Sequence, residues 1–413
     1  NHGLVVLDLG GATGETFTGT LNSTATGGLQ VRGGNGGTAA QTFNGDLTFG
    51  GAALVGSQSG LTGRLIVSGG TMTTPDLSVG AVAGSTGFFT QTGGVVNVTN
   101  TATLDVGDGG TGLLTLSNGV LNVAGDALLG DGGGSGTFDH TGGTANINRH
   151  LMIGDNNKAT LNNYNLSGGR LNFGDTLDNG LQSPSSPASV ITVNSDGAFN
   201  FDSGTLLNVT TIAIDPASAA DPAFTVGNVT TGDIPDDARF VIGVDGSQGT
   251  TLTTSASRAI TTIGDATGSG TPIDFVLNED GTLVIDIFGP GSHGYNGESG
   301  GLPLTLDIED PALDLDSDLL VVEGNATLKG TLEINLNSFT PSPFHWYDVL
   351  LADGTIDTTD LTVTGVDFWR VVADKSNPGR SLLQVAVPEP ASIAIWSLLG
   401  LGLAGFGYYR VRR

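Results

Sequence analysis

Three aspartates follow glycine at the ends of similar stretches of this sequence, and carboxylates in such a series can bind cations. They are Asp108, Asp131 and Asp155. If the stretches stack as adjacent coils, these carboxylates stand about 4.8 Å apart and repel one another unless a cation or solvent intervenes. Ca²⁺ accepts several oxygen ligands in flexible turns, so a calcium ladder is one hypothesis. The other is that Asp before Gly simply forms turns.

A second group of acidic residues lies between residues 307 and 318. Asp314 to Asp318 imitates the start of an EF-hand loop, but Leu319 replaces the glycine at the sixth position and Asn325 replaces the glutamate at the twelfth. An EF-hand is therefore excluded, and nonspecific cation binding stays open. The acids of this group are Asp307, Glu309, Asp310, Asp314, Asp316 and Asp318.

The sequence offers little for catalysis. His140 and His150 lack the HExxH spacing of a zinc protease, and the sequence predicts no Gly-x-Ser-x-Gly nucleophile elbow, which needs a turn between a strand and a helix. The basic residues nearby are few: Arg149, Lys158 and Arg170. Each is most simply a solvated side chain, so we predict that the chain is not an enzyme.

Three aromatic residues near the C-terminus could instead contact a sugar. Trp346, Tyr347 and Trp369 have rings that can stack on a pyranose face. The same side chains are more often part of a hydrophobic core, and both interpretations stay open here.

The elements that would position all these residues come from an internal repeat. Gly87–Asp108, Gly112–Asp131 and Gly136–Asp155 are three versions of one stretch. A column of asparagines marks their common phase, and its first three members are 25 and then 24 positions apart. A fixed period of this size is typical of a solenoid. The column consists of Asn97, Asn122, Asn146, Asn172 and Asn208.

The physics of one repeat predicts short strands. Val96-Asn97-Val98 alternates apolar, polar and apolar, so its two valines share one face and its asparagine lies on the other. No single repeat can bury its apolar row, whereas stacking buries a continuous core. The asparagines then form a ladder either on the surface or inside, and the sequence leaves that phase open.

We therefore predict an all-β chain built on a β-solenoid with coils of about 24 residues. The solenoid occupies residues 1–215, and residues 216–301 form an irregular β continuation with a glycine-rich linker. Within that continuation, Asp280-Gly281 predicts a hairpin turn. Residues 302–387 form a C-terminal β module, which is either a small sandwich or the last coils of the solenoid.

Charge and cysteine content limit the possible partners. The chain has a formal net charge of −27 and no cysteine. An acidic surface repels nucleic acid, so we expect no nucleic-acid partner. Without cysteine, disulfides and thiolate metal sites are excluded.

The C-terminal tail, residues 388–413, predicts a single transmembrane helix. Ala391–Tyr409 contains no charged residue and would be about 28 Å long as a helix, enough to span a bilayer core. Basic residues favour the cytoplasmic side, which would leave the bulk of the chain outside. Those residues are Arg410, Arg412 and Arg413.

The tail also resembles a known sorting signal. Pro388-Glu389-Pro390, an apolar span and a terminal arginine cluster occur in the order typical of the PEP-CTERM signal of Gram-negative bacteria. This resemblance implies export, recognition by an exosortase-type membrane peptidase, cleavage near the Pro-Glu-Pro, and release or attachment at the cell surface. Members of that family tend to occur in bacteria that make exopolysaccharide and biofilm matrix.

The repeats carry a second resemblance. Residues 39–215 are similar to autotransporter-associated β-strand repeats, which implies that the solenoid is a right-handed parallel β-helix. We predict a non-enzymatic structural or adhesive protein of the cell surface or extracellular matrix, able to bind polysaccharide or itself. The alternatives are a secreted β-helical enzyme or binding module acting on polysaccharide, and a Ca²⁺-stabilised surface module.

Overall fold

The strands of this chain are short and rich in Val, Leu, Ile and Thr, as the alternating pattern predicts. A computed structural model describes residues 5–9, 16–23, 27–33, 40–99, 103–155, 161–173, 190–207, 209, 211–215, 223–226, 238–241, 260–265, 272–279, 281–287, 317–336, 346–374, 377 and 379–386. The strands are β1 (Val5–Leu9), β2 (Thr16–Phe17), β3 (Leu21–Ser23), β4 (Leu29–Gly33), β5 (Gln41–Asn44), β6 (Leu47–Phe49), β7 (Ala53–Val55), β8 (Thr62–Gly69), β9 (Thr71–Thr74), β10 (Leu77–Val79), β11 (Thr86–Gln91), β12 (Val95–Val98), β13 (Leu104–Val106), β14 (Thr111–Leu116), β15 (Val120–Val123), β16 (Ala127–Leu129), β17 (Ser135–Ile147), β18 (His150–Ile153), β19 (Asn162–Phe173), β20 (Val190–Val193), β21 (Gly197–Leu207), β22 (Thr211–Ile214), β23 (Ala223–Val226), β24 (Ala238–Val241), β25 (Ile260–Asp265), β26 (Asp274–Leu277), β27 (Gly281–Asp286), β28 (Leu319–Val322), β29 (Ala326–Leu328), β30 (Thr331–Asn335), β31 (Trp346–Ala352), β32 (Ile356–Asp357), β33 (Thr362–Thr364), β34 (Phe368–Ala373) and β35 (Ser381–Ala386).

Among the described residues, the strands form three sheets. The first, sheet 1, has 14 strands in the order β1-β4-β7-β10-β13-β16-β18-β20-β22-β25-β28-β31-β35-β34. Sheet 2 has 17 strands, and sheet 3 consists of β23, β26, β29 and β32. Because each strand pairs with the strand one repeat further along, nearly all of these pairings are parallel. The predicted all-β class is confirmed, and the long parallel sheets are consistent with a β-solenoid.

Sheet 2 is built from two branches that merge. One branch runs through β8, β11 and β14, and the other through β9, β12 and β15. Both continue into β17, whose 13 residues pair with β14 in their first half and with β15 in their second. The long strands β19 and β21 extend the merged sheet. A single strand can therefore present two separate columns of side chains.

The core is a set of apolar columns along the stack. In sheet 2, Leu65, Phe89, Leu114 and Phe138 follow one another in register, and all four are fully buried. Tyr164 continues this column on β19. Each coil thus covers the apolar face of its neighbour, and this burial is the main driving force for stacking.

Glycine at the corners allows the coils to approach closely. Gly107, which follows β13, has φ +82°, and a Cβ atom there would lie 2.4 Å from the backbone carbonyl carbon of Ser135. Gly80 repeats this arrangement one coil earlier, with φ +76°. Both the left-handed backbone and the contact exclude a side chain, which explains the Val-Gly that ends these repeats.

The parallel pairing continues beyond residue 215. Strand β22 pairs with β25, β25 with β28, and β28 with β31, all in parallel. Among the described strands, the pattern changes at β35, which runs antiparallel to both β31 and β34. Of the two alternatives for residues 302–387, these pairings favour last coils that end in an antiparallel closure.

The hairpin predicted at Asp280-Gly281 is wrong. Strand β26 lies in sheet 3 and pairs with β23 and β29, whereas β27 lies in sheet 2 and pairs with β24 and β30. In a coil, a turn carries the chain from one sheet to the next. The strands on its two sides therefore find partners one repeat away instead of each other.

The predicted transmembrane helix lies outside the described residues, which end at Ala386. In the part of the chain that the structure describes, no helix is long and apolar enough to span a membrane. The helical element described there is the 3₁₀ turn Asp131–Gly133.

Candidate functional site

The asparagine column forms a hydrogen-bonded ladder on the face of sheet 2 that points away from the core. Asn97, Asn122, Asn146 and Asn172 stand in register on β12, β15, β17 and β19. The Nδ2 atom of Asn122 donates to Oδ1 of Asn97 at 2.8 Å. The next two rungs repeat this bond at 2.8 and 3.1 Å. The apolar neighbours Val96 and Val98 are fully buried, which resolves the phase left open by the sequence.

The last predicted member of the column, Asn208, lies outside the described residues. The register nevertheless pairs Asn172 with Leu207. Asn162 pairs with Gly197 and Arg170 with Thr205, so the register of β19 with β21 is 35 positions on both sides of the irregularity at Ser167, one less than the 36 positions from Asn172 to Asn208. The residue that pairs with Asn172 on β21 is therefore a buried leucine.

A second ladder, which sequence reasoning missed, lies on the same long strands. Asn165 donates from Nδ2 to Oδ1 of Asp139 at 2.7 Å, and Asn200 donates in the same way to Oδ1 of Asn165 at 2.7 Å. A sequence signal exists, since each of these residues directly follows a core aromatic in Phe138-Asp139, Tyr164-Asn165 and Phe199-Asn200. Irregular spacing hides it, because residues 174–189 intervene before the third member.

The two ladders make two polar columns over several coils, in which Asn122 and Asn172 are buried and Asn200 is exposed. Asp139 and Asn146 both lie on β17, one in each half of the strand. Each inner amide uses one N–H and its carbonyl oxygen within its ladder, and a primary amide has a second N–H. Stacked amides of this kind stabilise parallel in-register strands and present a repeating set of donors and acceptors.

The three predicted cation ligands occupy turns on one side of the stack. The hydroxyl of Ser78 donates to Oδ2 of Asp108 at 3.5 Å, and the backbone N–H of Gly133 donates to Oδ2 of Asp155 at 3.2 Å. Asp131 begins the 3₁₀ turn and is exposed. Burial raises the pKa of Asp108, and the nearby charge of Asp131 raises it further. The hydrogen bonds within turns and the raised pKa of Asp108 fit aspartates that form turns and repel each other between coils.

A more perturbed carboxylate lies beside them on β13. Burial raises the pKa of Asp105 to about 6, despite a hydrogen bond from the Thr103 hydroxyl at 2.7 Å, and the charges of Asp108, Asp131 and Asp76 add to the shift. Its Oδ1 atom is buried without a hydrogen-bond partner. Sequence reasoning missed Asp105 because its shift comes from packing between coils.

In the described part of the chain, no group of three or more acidic or histidine side chains is arranged to hold a metal ion. Of the acids between 307 and 318, Asp318 is described and is fully buried just before β28, while the rest lie outside the described residues. The Ca²⁺ hypothesis therefore gains no geometric support from Asp108, Asp131 and Asp155.

The two histidines of the repeats lie in different surroundings. His140 is fully buried, and its Nδ1 lies 2.9 Å from the phenol oxygen of Tyr164. Burial lowers the pKa of His140 to about 4. His150 is half-buried, with Nδ1 3.3 Å from Oδ1 of Asp126, and Arg149 contacts the same carboxylate at 3.6 Å. Lys158 lies outside the described residues, and the half-buried Arg170 stands on β19 opposite Thr144.

The three aromatic candidates for sugar stacking lie in different surroundings. Tyr347 is buried in the main core. Trp346 is half-buried, and the guanidinium carbon of Arg370 lies 3.9 Å from its ring centre. Trp369, on β34, is 37% exposed. They do not converge on one site.

The predicted processing motif follows directly on the last strand. Strand β35 ends at Ala386, and Pro388, Glu389 and Pro390 lie outside the described residues, as do Arg410, Arg412 and Arg413. Residues 386–413 match the family model of the PEP-CTERM protein-sorting motif. The chain carries a PEP-CTERM signal. This signal implies export, sorting to the cell surface and processing by an exosortase.

The PEP-CTERM match covers the tail alone, and no curated protein matches the chain. The similarity of residues 39–215 to autotransporter-associated repeats and the right-handed coil are not shown by these comparisons and stay predictions. What stands is a PEP-CTERM sorted protein with a parallel β-rich fold.

Proposed function

We propose that this chain is a non-enzymatic structural or adhesive protein of the cell surface or extracellular matrix. The observation that carries the proposal is the pair of amide ladders along the outer face of a stack whose chain ends in a sorting signal. A regular stack supplies length, and a repeating polar face supplies many equivalent weak contacts. Many weak contacts on one rigid body give a high overall avidity.

Polysaccharide is the ligand class that this surface suits best. Hydroxyl groups both donate and accept hydrogen bonds, as do the amides of Asn146 and Asn165. The ladder bonds hold each amide in a fixed orientation, so little side-chain entropy remains to be lost on binding. The acidic net charge of −27 favours a neutral or cation-bridged polysaccharide over a polyanionic one.

Self-association is a second property that we propose, on the basis of the sheet edges. Sheet 1 begins with β1 and ends with β34, and both strands carry exposed apolar side chains, Val6 and Phe368 among them. Edge strands can pair with the edge of another chain. End-to-end pairing would extend the stack into a fibre after the tail has been removed.

A binding experiment tests the adhesive proposal. The purified protein would be sedimented with exopolysaccharide isolated from the bacterium that produces this protein. An Asn165→Ala/Asn200→Ala variant, which lacks the hydrogen bonds of the second ladder, would be sedimented in parallel. We expect weaker sedimentation of this variant and normal sedimentation of Asp360→Ala, an exposed control outside the ladders. Equal binding by all three proteins would contradict a role for the ladder face.

The same samples distinguish the enzymatic alternative. After incubation, the length of the polysaccharide chains and the number of new chain ends would be measured. A structural or adhesive protein leaves both unchanged. Shortened chains would instead establish the secreted β-helical enzyme acting on polysaccharide.

A further inference from the structure

Exposed apolar side chains concentrate on the last strand of sheet 1. Phe368 is 57% exposed, and Trp369 and Val371 are each 37% exposed. All three lie within β34, Phe368 on one face of the strand and Trp369 and Val371 on the other, whereas the other large exposed apolar side chains in the described residues are scattered over distant coils. Several exposed apolar side chains along one edge strand mark that edge as a candidate for an interaction, while single exposed residues do not.

The exposure follows from the position of β34 in the sheet. This strand is the terminal one of sheet 1 and pairs with β35 on one side. Trp369 stands opposite Val385, and Val371 opposite Leu383, so two residues of the core-facing side remain exposed next to fully buried partners. We refer to Phe368, Trp369 and Val371 as the β34 patch.

The register places this patch at the exit of the sorting tail. Phe368 pairs with Ala386, and on the other side of β35 Trp346 pairs with the same Ala386. Ala386 is the residue with which the PEP-CTERM match begins. An aromatic ring therefore stands on each side of the strand end from which the chain leaves for the tail.

The short connection limits how far the patch can lie from the membrane. The uncharged span begins at Ala391, five residues after Ala386. Five extended residues reach at most about 18 Å. The headgroup layer on each side of the hydrocarbon core is about 5 to 8 Å thick. While the span is in the bilayer, the end of β35 therefore lies at most about 18 Å from the edge of the hydrocarbon core, which is close to the headgroups.

We propose that the β34 patch rests on the outer headgroup region of the bilayer that holds the uncleaved tail. Trp and Phe are suited to this region because it accommodates apolar rings beside polar groups. Arg370 is already engaged, since its Nε donates to Oε1 of Gln384 at 2.8 Å and its guanidinium lies over Trp346. The contact is therefore apolar and aromatic, and it needs no anionic lipid.

This contact would give the sorting signal a fixed presentation. With the patch on the headgroups, Ala386 at the end of β35 would be held at a fixed distance from the membrane surface, and the sorting signal begins at this residue. The inference rests on the proposed membrane insertion of the tail, so its test must separate the two.

The chain allows a clean test because its three tryptophans are Trp346, Trp369 and Trp396. The full 413-residue chain would be reconstituted into phosphatidylcholine vesicles as two single-tryptophan variants. Trp346→Phe/Trp396→Phe retains Trp369 in the patch, and Trp346→Phe/Trp369→Phe retains Trp396 in the tail. Lipids brominated near the carbonyl end or at the middle of the acyl chains would serve as quenchers.

A third variant provides a matched control. Met152→Trp, in a chain whose three native tryptophans are replaced by phenylalanine, introduces an indole at a site that is 38% exposed on β18. We expect the shallow bromolipid to reduce Trp369 fluorescence about twofold, as for a residue at the interface. The indole of the Met152→Trp control should keep its fluorescence.

The outcomes separate the two hypotheses. Quenching of Trp396 by the deep bromolipid without any quenching of Trp369 would overturn the proposed contact and leave the inserted tail intact. Absence of Trp396 quenching would contradict both the insertion of the tail into the bilayer and the membrane contact of the β34 patch. A Trp369 blue shift that depends on protein concentration and persists in detergent would overturn the membrane contact in favour of pairing between two copies.

Discussion

The phenol oxygen of Tyr164 and Nδ1 of His140 lie 2.9 Å apart on adjacent coils, inside a core where both side chains are fully buried. The rings of Phe138 and Tyr164 are 4.6 Å apart, so the pair is enclosed by aromatic packing. Burial lowers the pKa of His140 to about 4 and raises that of Tyr164, so both groups stay neutral near pH 7. Two polar groups are tolerated in this core because each provides the other with a hydrogen-bond partner.

Removing both members of this pair should cost less than the sum of the two single removals. Tyr164→Phe leaves the imidazole without its phenol, and His140→Leu leaves the phenol without its imidazole, at about 1 to 3 kcal/mol each. The double variant buries no unpaired group, so its loss of stability should be smaller than the sum. Urea unfolding of the four proteins would check this, and strict additivity would show that the hydrogen bond contributes nothing.

Asp105 should make the protein less stable as the pH rises. Its pKa is about 6 in the folded state against an ordinary value of 3.8, so the folded state binds the proton more tightly. Stability is therefore lost between about pH 3.8 and 6, and on the order of 2 kcal/mol is missing above that range. Asp105→Asn should recover this amount at pH 8 and change little at pH 3.5.

The control for this change is Asp360→Asn, which replaces an exposed carboxylate in a turn. Its unfolding free energy should match that of the parent at both pH values. If Asp105→Asn were neutral or destabilising at pH 8, the carboxylate would not be held in an unfavourable environment.

The centre of the asparagine ladder should matter more than the end of the second ladder. Asn122 is 5% exposed and bonds to a half-buried neighbour on each side, so Asn122→Ala removes one hydrogen bond from each of these neighbours and should cost about 1 to 3 kcal/mol. Asn200 is exposed at the end of its ladder, and Asn200→Ala should cost about 0.5 kcal/mol or less. Equal losses in thermal unfolding would argue that the ladders contribute no stability.

Glycine at a corner should tolerate a side chain only where space exists. Gly107 and Gly60 both have positive φ, +82° and +76°. A Cβ atom at Gly60 meets nothing within 4 Å, whereas at Gly107 it meets the Ser135 backbone at 2.4 Å. Gly60→Ala should therefore cost about 1 to 2 kcal/mol of backbone strain. Gly107→Ala should cost more than about 3 kcal/mol or prevent folding, because the backbone of the next coil cannot move away.

Processing of the tail is tested by the intact mass of the protein recovered from the native cell surface. Cleavage near Pro388–Pro390 should remove about the last 25 residues, in keeping with the PEP-CTERM match at 386–413. Glu389→Ala should retain the full mass and accumulate in the inner membrane. A parent protein that still ends at Arg413 would make the tail a permanent anchor.

The sequence pattern predicted the stack and its asparagine ladder because a regular repeat fixes the register. Once Asn97, Asn122 and Asn146 share a phase, in-register parallel pairing is the arrangement that buries every apolar column together. The prediction failed where local and long-range pairing compete. Asp280-Gly281 is a good hairpin turn in isolation, yet β26 and β27 join separate sheets and pair with strands of neighbouring coils.

Other features could not be predicted because they depend on small changes of register. The 35-position register of β19 with β21 puts Leu207 instead of Asn208 opposite Asn172, and no residue type indicates this difference of one position. The pKa of Asp105 depends on burial between coils and on carboxylates contributed by other repeats. Such effects arise only when all neighbours are in place.

Pairing between coils also determines how this protein would respond to force. The backbone hydrogen bonds between successive strands run across the strands, and hence along the stack. A pull on the far end of a chain tethered at its tail would load the coils one at a time, as in the opening of a zipper. Each released coil of about 24 residues would add about 80 Å of extended chain in place of about 4.8 Å of stack. The molecule would thus yield in small, repeated steps and absorb mechanical work while its tether to the cell stays intact.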